Sequence, residues 1–259
     1  MDYSIFSDNL RVLIPVVVGL ISFSLFWLIQ KSESIKIWYL KKYGENKGQI
    51  KYILSTRIIG GIIYGLLPVT IYFIVFPPAT LSLGLKKVGV QLPTEILLSL
   101  VIIVIILISS IPFVIYNAKK PESLANYPQI RAKVWNRRLI VFNLLTWSFY
   151  LLGYEFFFRG VLLFPLIEEI GLWPAVAVNA VLYSVAHMPN GRREAISVIP
   201  YGIIISIATY YTGAFWVSFI VHLGLAWFNS LLALKYHPDM QYVKNLTPQV
   251  VQQETEERN

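Results

Sequence analysis

The sequence predicts an all-α protein, a polytopic bundle of about seven transmembrane helices. Hydrophobic residues make up 56% of the 259 residues and charged residues only 14%, and the mean hydropathy is +0.61. These values exclude an ordinary soluble domain. The apolar residues are also grouped into runs close to the length that a helix needs to cross a bilayer, which is about 20 residues.

Seven apolar runs are predicted to span the membrane. They lie at residues 10–29, 58–76, 95–116, 139–166, 173–187, 195–211 and 215–234. Pro77 and Pro78 end the second run, and Pro174 suits the first turn of the fifth, where a missing N–H costs nothing. No small-residue cleavage pattern follows the first run, so we expect it to be retained as a span.

Two strongly basic segments, residues 31–57 and 117–138, set the expected orientation. Lys and Arg are enriched on the cytoplasmic side of membrane proteins, so both segments are predicted to be cytoplasmic, the first as an interfacial amphipathic helix. This orientation places the N terminus outside the cell and the C terminus in the cytoplasm. The membrane is expected to be the plasma membrane of a prokaryote. The net charge of +8 therefore reflects topology, and no nucleic-acid partner is expected.

The chain divides into three predicted regions. Residues 1–138 form an N-terminal membrane region with three spans, residues 139–234 a core of four spans, and residues 235–259 a polar cytoplasmic tail that we expect to be disordered. A polar connection is expected at residues 79–94. The absence of cysteine excludes a disulfide framework, a thiolate zinc site and a cysteine nucleophile.

An acid and a base stand four residues apart inside the fourth apolar run. This spacing places Glu155 and Arg159 on one face of a helix, close enough to pair. The flanking residues 139–152 and 161–166 carry no charge, so the pair is expected at the depth of the lipid hydrocarbon. Ionisable residues there are costly, and they indicate either a functional site or a self-neutralising pair that holds two helices together.

Two histidines lie in later apolar runs. His187 precedes Met188 and Pro189 at the end of the fifth run, where a histidine often interacts with the helix dipole. His222 lies in the middle of the seventh run without an acid in its own helix, so it is expected to face the interior of the bundle. Tyr183 and the run 156–158 are predicted to pack in the core.

Several features follow one another in the second half of the chain: Tyr154 and Glu155 with Arg159, Tyr183 with His187, the Thr212–Gly213 turn, and His222. In this order and spacing they resemble the CPBP family of intramembrane proteases, also called the CAAX protease or Abi family. The family patterns are a Glu-Glu-x-x-x-Arg motif, an aromatic-x-x-x-His motif and a later His followed by Asn. The resemblance covers residues 139–234.

The resemblance implies an endopeptidase that hydrolyses a peptide bond in a membrane-associated peptide or protein, through CAAX-type or related processing inside the lipid bilayer. A carboxylate activates a water held by histidines, and a polar group stabilises the oxyanion. The implied catalytic residues are Glu155, Arg159, His187, His222 and Asn229. Whether the histidines act directly or through a metal stays open. His187, His222 and Glu155 would be an adequate zinc set by ligand type, but they lack the HExxH spacing.

Two positions depart from the family pattern. Tyr154 stands where the family has its first glutamate, and a tyrosine with an ordinary pKa of about 10 is a poor base at neutral pH. Either Glu155 takes over water activation or the chain is a degenerate protease. Ala226 stands four residues after His222, where the family has Asn. Asn229 lies two helical turns after His222 on the same face, and it either substitutes for the missing amide or only makes a packing contact.

Two other functions compete with the protease. A catalytically silent family member would act as a membrane scaffold or as an immunity or maturation factor, and Tyr154 and Ala226 favour it. A transporter would show paired broken helices or an internal repeat, and neither is visible in the sequence. In an enzyme the acid and the histidines should converge on one cavity, whereas in a scaffold Arg159 could fully neutralise Glu155.

Overall fold

A computed structural model describes residues 3–75 and 93–244, and this part of the chain is almost entirely helical. The helices are α1 (Tyr3–Gln30), α2 (Glu33–Tyr43), α3 (Glu45–Val75), α4 (Pro93–Ala118), α5 (Pro121–Asn126), α6 (Arg137–Glu155), a π-helical segment (Phe156–Leu162), α7 (Leu163–Ile170), α8 (Leu172–His187), a 3-10 turn (Met188–Asn190), α9 (Arg192–Thr212) and α10 (Phe215–Tyr236). Two short strands, β1 (Val134–Trp135) and β2 (Gln241–Tyr242), pair in parallel. The predicted all-α architecture is confirmed.

Within the described residues, six helices are long and apolar enough to cross a membrane. They are α1, α3, α4, α9, α10 and the continuous helix Arg137–Ile170, which joins α6, the π-helical segment and α7. Helix α8 is apolar but has only 16 residues. The prediction of about seven spans agrees with six full-length helices plus this shorter one, and the protein is an integral membrane protein.

The continuous helix Arg137–Ile170 lies at the centre of the bundle. In its most apolar window 72% of the residues are buried, against 11% in the window of α4. Helix α4 instead exposes large apolar side chains such as Leu97, Ile105 and Phe113, which is the surface that lipid requires. The charged motif of the fourth run therefore lies on the element that the other helices surround.

Glycines bring α3 and α6 into close contact. A Cβ atom added to Gly153 would lie 2.3 Å from the carbonyl oxygen of Gly61, and one added to Gly61 would lie 2.7 Å from the Phe149 ring. Small residues at such crossings let helix backbones approach each other in membranes. Because Gly153 immediately precedes Tyr154 and Glu155, this contact fixes the position of the motif.

An aromatic core surrounds the end of α6. Phe23 stacks on Phe158 at 5.5 Å between ring centroids, and Tyr154 contacts Tyr64 at 5.2 Å and Phe158 at 4.7 Å. Phe157 and Phe158 are completely buried. The prediction that this phenylalanine run packs in the core is confirmed, and the core holds the Tyr154 ring from several sides.

The assignment of Arg57 to the interfacial basic segment is wrong. Helix α2, in the first part of this segment, has no buried residues, but Arg57 lies inside α3 and is 4% exposed. Its guanidinium donates hydrogen bonds to the side-chain oxygens of Gln129 and Asn143. Arg57 turns inward because neutral oxygens from distant segments solvate its charge.

Two predicted boundaries need correction. The fourth span was predicted to end at residue 166, but α7 continues to Ile170 and contains Glu168 and Glu169, and Glu169 forms an ion pair with Arg11 at 3.4 Å. The prediction of a disordered tail from residue 235 places its start too early. In the structure α10 continues to Tyr236 and β2 follows it. The rest of the tail, from residue 245, and residues 76–92 lie outside the described residues. The domain division at residue 138 stays a prediction.

Candidate active site

Glu155 is the last residue of α6, at the point where the helix changes its winding. In the π-helical segment that follows, the backbone N–H of Leu163 donates to the carbonyl of Phe158, five residues earlier. Single π-helical turns inside α-helices occur frequently at functional sites. The Glu155 side chain is completely buried, so its carboxylate needs polar partners.

One partner of Glu155 is the histidine of the seventh predicted span. His222 Nδ1 lies 2.6 Å from Glu155 Oε1, a short hydrogen bond in which the imidazole donates. Ser218, one turn earlier on α10, also lies against the carboxylate. The His222 side chain is 17% exposed while that of Glu155 is 0% exposed, so the histidine is the part of this pair that other molecules can reach.

The second partner of Glu155 is Arg159. Arg159 Nε lies 3.6 Å from Glu155 Oε2, which makes an ion pair but is too long for a good hydrogen bond. Arg159 is completely buried, and its Nη1 donates to Asn179 Oδ1 at 2.9 Å. The predicted pairing of the two motif residues is present, but Arg159 engages only one of the two carboxylate oxygens.

Asn179 is a site residue that the sequence analysis missed. Its Nδ2 donates to the Phe158 carbonyl at 2.6 Å, and its Oδ1 accepts from Arg159 and from the Ser206 hydroxyl at 3.3 Å. The side chain is completely buried in α8. An amide inside an apolar span is itself a signal, because polar side chains in spans commonly join helices, and Asn179 joins α8 to the π-helical segment and to α9.

His187 approaches the same region from the end of α8. Its Nδ1 lies 2.9 Å from the Tyr183 carbonyl oxygen. Since a carbonyl can only accept, Nδ1 carries the proton, and the neutral ring presents the lone pair of Nε2. The Tyr183 ring packs on the imidazole with 4.6 Å between centroids. This hydrogen bond selects the tautomer of His187 and orients its Nε2.

Tyrosine rings link the two histidines. Tyr154 contacts both imidazoles, with centroids 6.2 Å from His187 and 6.0 Å from His222. Tyr183 also contacts both, at 4.6 Å and 6.3 Å, and Tyr201 of α9 lies 5.9 Å from His222. Four helical elements therefore bring Glu155, Arg159, His187 and His222 around one aromatic cluster.

Buried polar atoms without hydrogen-bond partners concentrate at this cluster. Eight such side-chain atoms occur in the part of the chain that the structure describes, and five belong to the site: Glu155 Oε2, Arg159 Nε, Arg159 Nη2, Tyr154 Oη and Tyr201 Oη. Folded proteins pair nearly all buried polar groups, so each exception needs an explanation. Here the exceptions lie together beside an acid and two histidines.

Asn229 does not join the other predicted site residues. It lies on α10 seven residues after His222 and makes no hydrogen bond to any of the other four. Its neighbour Ser230 instead accepts from Asn143, which belongs to the cluster around Arg57. Two helical turns, about 10 Å of rise, separate Asn229 from His222.

The proposed zinc ligands do not form a three-ligand site. Among residues 3–75 and 93–244, no three His, Cys, Asp or Glu side chains lie close enough together to hold a metal ion. Glu155 Oε1 accepts a hydrogen bond from His222 Nδ1, so these two residues form a hydrogen-bonded pair.

Two surface cavities lie away from the site. One of about 290 Å³ is lined by Arg131, Lys133, His237, Asp239 and Met240. One of about 240 Å³ is lined by Gln30, Lys31, Ile53, Ala125, Asn126, Tyr127, Gln129 and Pro189. Neither includes Glu155, His187 or His222. Glu155, Arg159, His187 and His222 thus converge on an aromatic cluster that neither of these cavities includes, and His222 is the more exposed member of the acid–histidine pair.

Residues 135–228 match the model of a protein family described as Rce1-like, the type II CAAX prenyl endopeptidase Rce1-like family. The matched region begins just before α6 and ends within α10, so it includes Glu155, Arg159, His187 and His222. Asn229 lies one residue beyond it. No curated protein and no solved structure matches the chain. The family resemblance that the motifs predicted is confirmed over this region.

Proposed function

We propose, from the premise that residues 135–228 are an Rce1-like domain, that the protein is an intramembrane endopeptidase whose base is the pair formed by His222 and Glu155. At family level the domain is that of a CAAX-type intramembrane protease. The observation that carries the assignment of the base is the 2.6 Å hydrogen bond from His222 Nδ1 to Glu155 Oε1.

The proposed base atom is Nε2 of His222. Because Glu155 is completely buried and His222 is partly exposed, a substrate water meets the imidazole first. The carboxylate holds the ring in one orientation and stabilises the imidazolium that forms when Nε2 takes a proton, as in other acid–histidine pairs. In this account Tyr154 does not need to be a base, and the departure from the first motif glutamate does not abolish catalysis.

The proposed hydrolysis consumes one water molecule, and a site residue carries its proton to the amide nitrogen. The water donates one proton to His222 Nε2 and a hydrogen bond to the lone pair of His187 Nε2, and its oxygen attacks the scissile carbonyl carbon. The proton on His222 then passes to the amide nitrogen as the C–N bond breaks. This second transfer leaves His222 neutral again. The products are an amine and a carboxylic acid, which loses its remaining proton to water and becomes a carboxylate.

Arg159 has a positioning role in this proposal. It compensates the buried charge of Glu155 through the 3.6 Å ion pair, and Asn179 anchors its guanidinium. A cation so placed keeps the carboxylate ionised, while leaving Oε1 to His222. Arg159 lies against Oε2 and His222 against Oε1, and this separation supports a base that the ion pair does not block.

The proposal is tested by cleavage of tagged, membrane-anchored peptides, with and without a prenyl group, by the purified protein in lipid nanodiscs. Wild type is expected to cleave at least one peptide, and Glu155→Gln and His222→Gln to lose nearly all turnover. His237→Gln is the matched control, because His237 is the third histidine and lies beside Arg131, away from the site. A chelator should leave the rate unchanged, and loss of activity restored by zinc would favour a metalloprotease.

A catalytically silent membrane scaffold, or an immunity or maturation factor, is the second candidate. The features that favour it are Tyr154 and Ala226, which replace two polar family positions. Under this reading the wild type cleaves no peptide of the panel. Glu155→Gln and His222→Gln then fold normally and restore growth or function in cells that lack the protein as well as the wild type does. That result would contradict the protease proposal.

The proposed orientation places the N terminus outside and the C terminus in the cytoplasm of a prokaryotic cell. Since the chain has no cysteine, single cysteines can report accessibility without background. Lys41→Cys in α2 is expected to resist a membrane-impermeant thiol reagent in intact cells, whereas Trp173→Cys, at an exposed position of α8, is expected to react. The reverse labelling pattern would invert the proposed topology.

A further inference from the structure

Hydrolysis at this site requires a donor for the oxyanion that develops on the scissile carbonyl. The family resemblance would assign that role to an Asn four residues after the late histidine, but that position is Ala226. Asn229 makes no hydrogen bond to the other site residues and lies about two turns away. The donor must therefore come from another element if the proposed function holds.

Tyr154 has the required position. It occupies the motif position before Glu155, is 3% exposed, and its ring contacts both His187 and His222, with centroids 6.2 Å and 6.0 Å away. Further ring contacts with Tyr64 at 5.2 Å and Tyr150 at 5.6 Å hold the ring in place. The hydroxyl is thus held in place before any substrate arrives, which is the preorganisation that an oxyanion donor needs.

The contacts of Tyr154 in the described residues give its hydroxyl no structural role. Tyr154 Oη is buried and has no hydrogen-bond partner within the described residues. A buried unpartnered hydroxyl costs about 1–3 kcal/mol, and phenylalanine would fill the same aromatic cluster without that cost. Phe157 and Phe158 pack in the same core as phenylalanines, so a hydroxyl is not required to fill it.

We propose that the Tyr154 hydroxyl donates a hydrogen bond to the carbonyl oxygen of the scissile bond and stabilises the oxyanion of the tetrahedral intermediate. This inference rests on the proposed function. The Tyr154 O–H bond stays intact: when water attacks, the carbonyl π electrons move to the oxygen, which accepts the hydrogen bond. When the C–N bond breaks, the C=O bond forms again and the nitrogen takes the proton from His222.

The proposal explains why a tyrosine at the first motif position is compatible with activity. A tyrosine with an ordinary pKa of about 10 keeps its proton at neutral pH, so it is a poor base and a good neutral donor. In this chain the carboxylate function of the motif rests with Glu155, and the donor function that Ala226 cannot supply rests with Tyr154. Tyr201, whose hydroxyl is also unpartnered, contacts only His222 of the two histidines and is the weaker candidate.

The test compares Tyr154→Phe with Tyr64→Phe in the peptide cleavage assay and in thermal unfolding. Tyr64 is the matched control, because it is 2% exposed and packs against Tyr154. For Tyr154→Phe we expect kcat to fall by about 10²-fold, the usual effect of removing one oxyanion donor, with KM changed less than about threefold. Its Tm should be unchanged or higher, because the lost hydroxyl had no partner. Tyr64→Phe should keep kcat near the wild-type value.

The outcomes separate this inference from the proposed function. If wild type, Tyr64→Phe and Tyr154→Phe all cleave at similar rates, the oxyanion role of Tyr154 is wrong and the protease proposal stands. A clear drop in the Tm of Tyr154→Phe would also contradict the inference, since it would reveal a structural partner for the hydroxyl. If wild type cleaves no peptide, both proposals fail together.

Discussion

Arg57 and Arg159 are both buried inside membrane helices, at 4% and 0% exposure, but their surroundings are opposite. Arg57 is solvated entirely by neutral groups: it donates to Gln129, to Asn143 and to Thr146, and its guanidinium lies 4.2 Å over the Trp147 ring. Arg159 faces a carboxylate at 3.6 Å, and in the described part of the chain its Nε and Nη2 have no hydrogen-bond partners.

The two clusters differ in how fully their buried polar groups are paired. The Arg57 cluster satisfies its buried charge with hydrogen bonds, which is what a purely structural network requires. Within the described residues, the Arg159 cluster leaves polar atoms of Glu155, Arg159, Tyr154 and Tyr201 without hydrogen-bond partners. The proposed protease reaction would account for these unpaired groups.

The largest expected effect is on turnover by the pair Glu155 and His222. Glu155→Gln and His222→Gln should each lower kcat by about 10³-fold, or about 4 kcal/mol in activation free energy, because each removes one half of the proposed base. The double variant should be no slower than the slower single variant, since residues that act as a unit are not additive. Cleavage rates of the four proteins measure this. Additive losses would indicate two independent roles.

A smaller effect is expected at Asn179. Asn179→Ala removes the neutral hydrogen-bond partner of Arg159 and leaves the guanidinium less firmly held, so kcat should fall by about tenfold and the free energy of unfolding by about 1–3 kcal/mol. Ser206→Ala is the matched comparison, because Ser206 contacts Asn179 at 3.3 Å but not Arg159, and it should have little effect on kcat. Equal effects of the two variants would contradict the positioning role.

The contact between α3 and α6 should affect stability more than chemistry. Gly153→Ala places a methyl group 2.3 Å from the Gly61 carbonyl oxygen, and overpacking of this kind costs about 1–3 kcal/mol. Gly202→Ala is the control, because its nearest neighbour would be a Tyr183 ring atom at 3.5 Å, an ordinary contact. Thermal unfolding in the same detergent compares them. A Gly153→Ala protein as stable as wild type would show that the helices do not need this close approach.

The smallest effect is expected at Asn229. Because Asn229 makes no hydrogen bond to the other site residues, Asn229→Ala should keep kcat within about threefold of wild type. Steady-state kinetics on the best peptide of the panel provides the measurement. A loss of about 10²-fold would instead place Asn229 at the oxyanion, and Tyr154 would then lose the role proposed for it.

Much of the fold and part of the site follow from the sequence. The spans are predictable because a helix in lipid must be both long and apolar. The contact between Glu155 and His222 can be predicted only in outline. An ionisable residue in a span faces the interior of the bundle, and in a small bundle two such residues are expected to lie close together. Which atoms they bind cannot be predicted from the sequence.

The parts that could not be predicted depend on contacts between distant segments. Hydropathy places Arg57 at the edge of an apolar run, where an arginine can extend to the interface or turn inward. The choice depends on Gln129 and Asn143, more than 70 residues away. The π-helical winding after Glu155 and the anchoring of Arg159 by Asn179 depend likewise on packing against α8, α9 and α10, which local spacing does not encode.

The most direct test of the contrast between the two clusters is a side-by-side measurement of kcat and Tm for Arg57→Met and His222→Gln. Arg57→Met should lower Tm markedly, because Gln129 and Asn143 lose the group that they solvate, while kcat per folded protein stays within about threefold of wild type. His222→Gln should keep Tm within a few degrees and lose about 10³-fold in kcat. If Arg57→Met abolishes turnover in folded protein while His222→Gln cleaves at the wild-type rate, the assignment of the two clusters is wrong.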